Sequence, residues 1–146
     1  MLRNRITLAT VLVMSAMAML VGRTTFSNGE EKPAASAGVF ELRTYTTLDG
    51  RLPNLNARFK NHTMKLFEKH GMKNVMYWTP IDEKLKDNTL IYVIWHASQD
   101  AAKKSWDGFR NDPEWKAARD ESEKDGKIVA KVDSVYMTAT EYSPGK

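Results

Sequence analysis

The chain has 146 residues, which suits one domain after a leader, and carries 22 Lys and Arg against 18 Asp and Glu. Its basic residues are interleaved with acidic ones, as in the Glu-Lys-Leu-Lys-Asp segment 83–87, so the formal charge of +4 does not indicate a nucleic-acid partner. The absence of cysteine means that disulfides do not define the fold.

Residues 1–21 have the pattern of an export signal. Arg3 and Arg5 precede an uncharged, largely apolar run from Ile6 to Val21, and residues 22–38 are small and polar. The apolar run is short beside the about 20 residues that span a bilayer. We therefore expect an exported, periplasmic or extracellular protein with 22–38 as a flexible linker. The alternative is an uncleaved N-terminal anchor, which would make the protein a membrane partner.

The domain from 39 to 144 opens with a predicted strand at 39–46. Its residues alternate, with Phe40 and Leu42 on one face, which we place against helices. Glu41 and Arg43 then face away from the helices, in or near any dimer interface. Unpaired charges are costly there, so we expect the two to pair with each other or across a twofold axis. Substrate carboxylate binding is the alternative. Tyr45 continues the same face, and its hydroxyl needs a partner if it is buried.

A helix is predicted over 52–70, because its apolar residues recur with a helical period. Gly71 ends this helix in the C′ position. Two further strands follow at 73–79 and 89–97, separated by a polar loop. The segment Leu90–Trp95 has no polar face, which predicts a strand that is covered on both sides.

The last part of the chain predicts a bent pair of helices and a final strand. Ser98 can cap the first helix, and Asp112 can cap the second, with Pro113 as its first residue. The final strand is predicted over 128–142, long and bent or bulged. The bend lets three large aromatic residues share one apolar surface, namely Trp106, Phe109 and Trp115.

The predicted order β-α-β-β-α-β is that of ferredoxin-like α+β folds with an antiparallel sheet. Helices cover one face of such a sheet. Because the third strand is apolar on both sides, the other face also needs a cover. A second copy of the chain is the economical cover, so we expect a homodimer with sheet packed on sheet; a monomer with a merely apolar strand is the alternative.

The domain resembles the NIPSNAP family over about residues 39–144. One departure concerns Ala102-Lys103-Lys104, where family members often carry arginine. The resemblance implies membership of the dimeric α+β barrel superfamily, and it implies no shared chemistry. It rests on Phe40-Glu41-Leu42-Arg43-Thr44-Tyr45, on Phe59…His62…Phe67-Glu68-Lys69-His70-Gly71, on Trp106-x-x-Phe109-x-x-Asp112-Pro113-x-Trp115 and on Tyr142-Ser143-Pro144.

His62 is the sharpest candidate for chemistry. At about 100° per residue it lies beside Phe59 and Leu66, at the edge of the buried stripe and pointing at the sheet. A histidine there can act as acid, base or ligand; the alternative is a structural histidine bonded to a nearby hydroxyl or carbonyl. We expect His70 to interact with the C-terminal end of its helix and His96 to lie at the rim.

The many aromatic residues predict a core and, next to His62, a possible cleft for a small apolar or aromatic ligand. No two histidines have metal-like spacing and no carboxylate joins them in sequence, so we expect no metal site and no cofactor. The residues expected to wall the cleft are Tyr77, Trp78, Tyr92 and Trp106.

Three functions are compatible with these residues. The first is a non-catalytic domain that binds a small molecule or another protein. The second is a cofactor-independent oxygenase or isomerase that acts on a small aromatic substrate with His62 as its base. The third is haem binding through His62. The sequence contains no nucleophile motif, phosphate-binding glycine loop or paired carboxylates that would point to another enzyme class.

Overall fold

The computed structural model describes residues 38–144. The predicted leader and all but the last residue of the predicted linker lie outside the described residues. Within 38–144, no helix is long and apolar enough to cross a membrane.

The described residues form a four-stranded antiparallel sheet with helices after the first and third strands. The strand order across the sheet is β2-β3-β1-β4, which confirms the predicted ferredoxin-like α+β fold. In chain order the elements are β1 (Val39–Thr47), α1 (Leu52–Arg58), a π-helical turn (Phe59–Thr63), α2 (Met64–Lys69), β2 (Lys73–Trp78), β3 (Thr89–His96), α3 (Gln99–Asn111), α4 (Pro113–Ser122) and β4 (Val129–Met137).

Both predicted helix caps are present. The Ser98 hydroxyl accepts a hydrogen bond from the Ala101 amide at 3.0 Å, which starts α3. Asp112 ends α3 and starts α4, where its carboxylate accepts from the Glu114 amide at 2.8 Å. These caps fix the bend between the two helices.

The core lies between the helices and one face of the sheet. On β3, Leu90, Tyr92 and Ile94 point into it and are almost fully buried. The aromatic residues at the α3–α4 bend share one surface, as predicted: the Phe109 ring centroid lies 5.7 Å from that of Trp106 and 4.5 Å from that of Trp115. The bend is therefore held onto the sheet by aromatic packing.

The predicted facing of β1 is wrong. Glu41 lies opposite Ile94 and Tyr136 in the sheet register, and its side chain bonds Trp106 of α3, so Glu41, Arg43 and Tyr45 face the helices. The alternation in the sequence assigned the β1 residues to two faces, but it did not show which of the two faces the helices cover. The polar row can face the core because groups from β3, β4 and α3 satisfy its charges.

The other face of the sheet carries an apolar row beside the polar Thr44, Asp133 and Lys131. The final strand is shorter than predicted. On this open face lie Leu42 of β1, Val93 of β3 and Val135 of β4, which are register partners. β4 ends at Met137 instead of residue 142. The chain after β4 no longer pairs with β1. It makes a turn in which the Ser143 amide donates to the Thr140 carbonyl at 3.0 Å.

Candidate functional site

A buried carboxylate lies at the centre of the most polar cluster on the helix side of the sheet. Glu41 is 1% exposed and sits on the central strand β1. Its Oε2 accepts from Trp106 Nε1 at 2.7 Å and bonds His96 Nε2 at 2.8 Å. Its Oε1 accepts from Arg43 Nη1 at 2.6 Å and from the Ser134 hydroxyl at 2.7 Å. We call these five residues the Glu41 cluster.

The hydrogen bonds of the cluster keep Glu41 ionised. Burial alone raises the pKa of this carboxyl, since it disfavours the charged form. The bonds from His96, Ser134, Trp106 and Arg43 act in the opposite direction and together lower the pKa from 4.5 to about 2. Glu41 is therefore an anion at neutral pH, and it joins β1 to β3, β4 and α3.

Arg43 pairs with Glu41 as expected and forms the partly open edge of the cluster. Its guanidinium lies over the Trp106 ring, 4.2 Å from the ring centroid, and Nη2 donates to the Tyr45 hydroxyl at 3.5 Å. Burial lowers the pKa of Arg43, but Tyr45, Tyr92 and Glu41 raise it by more than burial lowers it. The net shift of the pKa is therefore upward. The side chain is 16% exposed, which leaves the cationic group in reach of a ligand.

His96 is held in one tautomer by the cluster. Because ionised Glu41 can only accept, His96 Nε2 carries the hydrogen of their bond. Nδ1 is buried and has no hydrogen-bond partner among the described residues. The prediction that His96 lies at the rim is wrong, since its ring is fully buried.

Two tyrosines extend the cluster along β1 and β3. The Tyr92 hydroxyl donates to the Tyr45 hydroxyl at 3.4 Å, and burial raises the pKa of Tyr92 well above its ordinary value. Tyr77 stacks on Tyr92 with ring centroids 5.1 Å apart, and burial raises its pKa as well. The phenols of Tyr77 and Tyr92 therefore stay neutral and act as hydrogen-bond donors.

The cluster opens towards β4. Register pairs share a face of a sheet, so Ser134 beside Arg43 and Tyr136 beside Glu41 point to the helix side. Tyr136 remains 41% exposed there, and its ring centroid lies 6.1 Å from that of His96. Burial and the nearby Glu41 charge raise the pKa of Tyr136. An exposed, partly aromatic row thus borders a buried ion pair.

His62 is not where the sequence placed it. Its side chain is exposed and lines a groove against Ala118 and Glu121 of α4, with no strand residue in the lining. The π-helical turn Phe59–Thr63 explains the difference, because it departs from the 100° step and brings Thr63 into the core instead. His62 therefore does not point at the aromatic strands.

The four predicted ligand-binding aromatics do not line one cleft. Tyr92 and Trp106 are core residues, 0% and 8% exposed, and Tyr77 is half-buried beside them. Trp78 is 44% exposed and lies opposite Ile91, on the open face of the sheet. Only Trp106 of these four contacts the Glu41 carboxylate.

His70 supports the bend between α3 and α4. Its Nε2 lies 2.7 Å from Asp112 Oδ2, so it contacts the cap of α4 as well as ending its own helix. Lys69 Nζ lies 2.9 Å from the same oxygen. The hydrogen bonds from His70 and Lys69 hold the pKa of Asp112 well below its usual range.

Sequence reasoning missed His96, Ser134 and Tyr136. For His96 a signal existed, since it continues the i, i+2 series of Leu90, Tyr92 and Ile94. Ser134 and Tyr136 could not be identified from the sequence, because their place beside Glu41 and Arg43 depends on the register of β4 against β1. Among residues 38–144, no group of three or more His, Cys, Asp or Glu side chains could hold a metal ion.

Fold and site together define a ferredoxin-like α+β domain with a buried Glu-Arg pair between its sheet and α3. The NIPSNAP family model matches residues 40–144. The chain therefore belongs to the NIPSNAP family, as its motifs indicated. No curated protein sequence matches it.

Solved structures share this fold at low identity. A NIPSNAP family protein of unknown function from Agrobacterium tumefaciens is 19% identical, covering 73% of this chain and 92% of its own, with a TM-score of 0.61. Another from that species is 15% identical over 75% and 99%, with a TM-score of 0.64. SnoaB, a cofactor-independent oxygenase from Streptomyces nogalater, is 14% identical over 75% and 99%, with a TM-score of 0.51. The fold is thus shared with proteins of the dimeric α+β barrel superfamily.

Proposed function

We propose that this NIPSNAP protein is exported, forms a homodimer and binds a small aromatic or apolar molecule beside the Glu41 cluster. The observation that carries the proposal is the contrast at β4. A buried, fully hydrogen-bonded carboxylate lies directly beside exposed Tyr136 and Ser134 and the partly exposed Arg43. Binding sites typically combine apolar walls with a few fixed polar groups, and this combination occurs here.

The cluster suits ligand orientation more than bulk electrostatic attraction. Glu41 and Arg43 offset each other's charge, so the cluster does not favour a charged ligand over a neutral, flat one. Arg43 stacked on Trp106 is held in place, and side chains locked by packing position a ligand precisely. Val132, 39% exposed next to Tyr45, supplies apolar surface in the same row.

The open face of the sheet supports the dimer. Leu42, Val93 and Val135 are adjacent across three strands, and Val135 is 55% exposed in the single copy. Met76 extends this surface on β2 and is 52% exposed. A contiguous apolar surface of this kind is typical of an interface. A second copy of the chain covers it with identical residues.

The ligand proposal can be tested by a thermal-shift screen of small phenols, quinones and aromatic acids. A ligand that binds the folded state raises the melting temperature with its concentration. We expect a saturable rise in the unmodified protein, its loss in Tyr136→Ala and its retention in Tyr142→Ala, a matched change at an 83% exposed tyrosine. Equal responses of both variants, or no response to any compound, would contradict the proposed site.

A second function, cofactor-independent oxygenation or isomerisation of an aromatic substrate, is favoured by one observation. The Glu41–His96 pair orients an imidazole whose Nδ1 has no partner among the described residues, and a carboxylate-oriented imidazole is the arrangement of a general base. Because the ring is fully buried, a substrate reaches Nδ1 only when the cluster opens. His96 would then take the role that the sequence gave to His62. His96→Gln should abolish turnover of a compound found in the screen while binding persists; unchanged turnover would exclude this function. Haem binding through the exposed His62 gains no support from its surroundings.

A further inference from the structure

A groove between α1, the π-helical turn and α4 holds a second set of reactive side chains. Its volume is about 210 Å³, and Ala57 and Ala118 form its apolar lining. None of its residues belongs to the Glu41 cluster. The polar residues that line it are Asn54, Arg58, Asn61, His62, Glu121 and Ser122.

Arg58 is the buried charge of this groove. It is 5% exposed, and its Nη1 donates to the Ser122 hydroxyl and to Glu123 Oε1, both at 3.2 Å. The guanidinium carbon lies 5.3 Å from the centroid of the Trp115 ring. Nε is buried and has no hydrogen-bond partner within residues 38–144. Arginine carries five N–H donors, so the protein supplies this side chain with fewer acceptors than it can use.

The π-helical turn adds donors to the same wall. Its backbone is stabilised where Thr63 Oγ1 donates to the Arg58 carbonyl at 3.3 Å. Short π-helical turns inside α-helices are rare, and those that occur are often found at functional sites. Here the turn brings Asn61 and His62 into the lining of the groove, and both side chains carry N–H donors.

The acidic side chains near the groove are already paired with basic side chains. Glu121, the one carboxylate among its lining residues, lies 2.6 Å from Lys124 Nζ. Glu114, further along the α4 side, lies 2.9 Å from Lys69 Nζ. These carboxylates are each engaged by a cation, while the Arg58 guanidinium keeps an Nε–H without an acceptor among residues 38–144, and guanidinium donors fit a carboxylate.

We propose that this groove is a second binding site, for a small carboxylate whose oxygens are bound by Asn61, His62 and the Arg58 guanidinium. Glu123 holds Arg58 in place but also offsets part of its charge, so the site is weak, with a roughly millimolar dissociation constant. The inference is independent of any ligand at the Glu41 cluster.

The test is a titration of the ¹⁵N-labelled protein with sodium acetate, followed by NMR at constant ionic strength set with sodium chloride. We expect saturable shifts of the Arg58 Nε–H and the Asn61 side-chain amide. Asn61→Asp places a negative charge on the exposed rim and should weaken binding at least about tenfold. Asn56→Asp is the matched control, since Asn56 is exposed on the same helix outside the groove.

Shifts that grow linearly without saturation, or that are the same in Asn61→Asp and Asn56→Asp, would overturn the proposal. A parallel titration with inorganic phosphate separates a carboxylate site from a general anion site. Phosphate binding more tightly than acetate would contradict the assignment of the ligand class. Unchanged spectra elsewhere in both variants show that the fold is intact, so a loss of binding cannot be attributed to unfolding.

Discussion

At the scale of single residues, Glu41 decides how the polar side of the sheet is built. A carboxylate removed from water is tolerated only when its lone pairs are satisfied, and four donors from three other elements and its own strand satisfy this one. Removing any donor leaves a buried acceptor short of a partner. The cluster is therefore both a structural anchor and a rigid support for the exposed row on β4.

This account predicts a pH dependence that Glu41→Gln removes. The folded-state pKa of Glu41 lies at about 2, below its ordinary 4.5, so its contribution is present above pH 4.5 and is lost as the pH falls towards 2. The shift corresponds to about 3 kcal/mol of unfolding free energy. Urea denaturation at pH 7 and at pH 3 should show a smaller acid loss for Glu41→Gln than for the unmodified protein.

Glu83→Gln is the control for this measurement, because Glu83 is exposed and its salt-bridge partner within residues 38–144 is Lys86, three residues along. Its stability at both pH values should match the unmodified protein to within about 0.5 kcal/mol. If Glu41→Gln loses as much stability between pH 7 and pH 3 as the unmodified protein, Glu41 is not the titrating group.

At the scale of elements, the bend between α3 and α4 fixes the helices to the sheet. Asp112 caps α4, while His70 and Lys69 of the preceding helical run hold its carboxylate. Trp106 connects the same bend to Glu41 on β1 and packs against Phe67, with ring centroids 5.4 Å apart. A change at the bend should therefore be felt in the cluster.

Trp106→Ala should lower the unfolding free energy by about 3–5 kcal/mol, as is typical for a large aromatic removed from a core. The loss includes the hydrogen bond to Glu41 and the stacking surface of Arg43. Ile81→Ala, at a side chain 97% exposed, is the control and should change stability by less than about 0.5 kcal/mol. A loss below about 1 kcal/mol for Trp106→Ala in urea denaturation would show that Trp106 does not anchor the bend.

Sequence periodicity predicted the elements well and their facing less well. Caps at Ser98 and Asp112 depend on local chemistry, so their residues sufficed. The face of Glu41 depends on partners 55 and 65 residues away in sequence, His96 and Trp106. The orientation of His62 depends on a π-helical turn, which a 100° helical step does not anticipate. Long-range register and irregular backbone are the parts that a local pattern leaves out.

At the scale of the whole molecule, the two faces of the sheet have different roles. The helix side holds the core and the Glu41 cluster, and the open face carries an apolar row across three strands. This division explains why Leu90–Trp95 has no polar face: Leu90, Tyr92 and Ile94 serve the core. The alternate residues serve the proposed dimer.

Val93→Asp should break the dimer, because the charge would lie between Leu42 and Met76 in the middle of the open face. Light scattering coupled to size exclusion should then report a monomer or aggregates. Val132→Asp places the same charge on the other side of the sheet and should keep the dimer mass. A stable monomer at micromolar concentration for the unmodified protein would contradict the dimer.

The claim that this protein is a dimeric carrier of a small aromatic or apolar molecule is tested most directly by native mass spectrometry of protein purified from its source. The measurement reports the oligomer mass and any retained molecule together. We expect the mass of two copies with a noncovalent adduct that gentle collisional activation releases and that Tyr136→Ala fails to retain. A single-copy mass, or an adduct-free dimer from source and screen alike, would contradict the account.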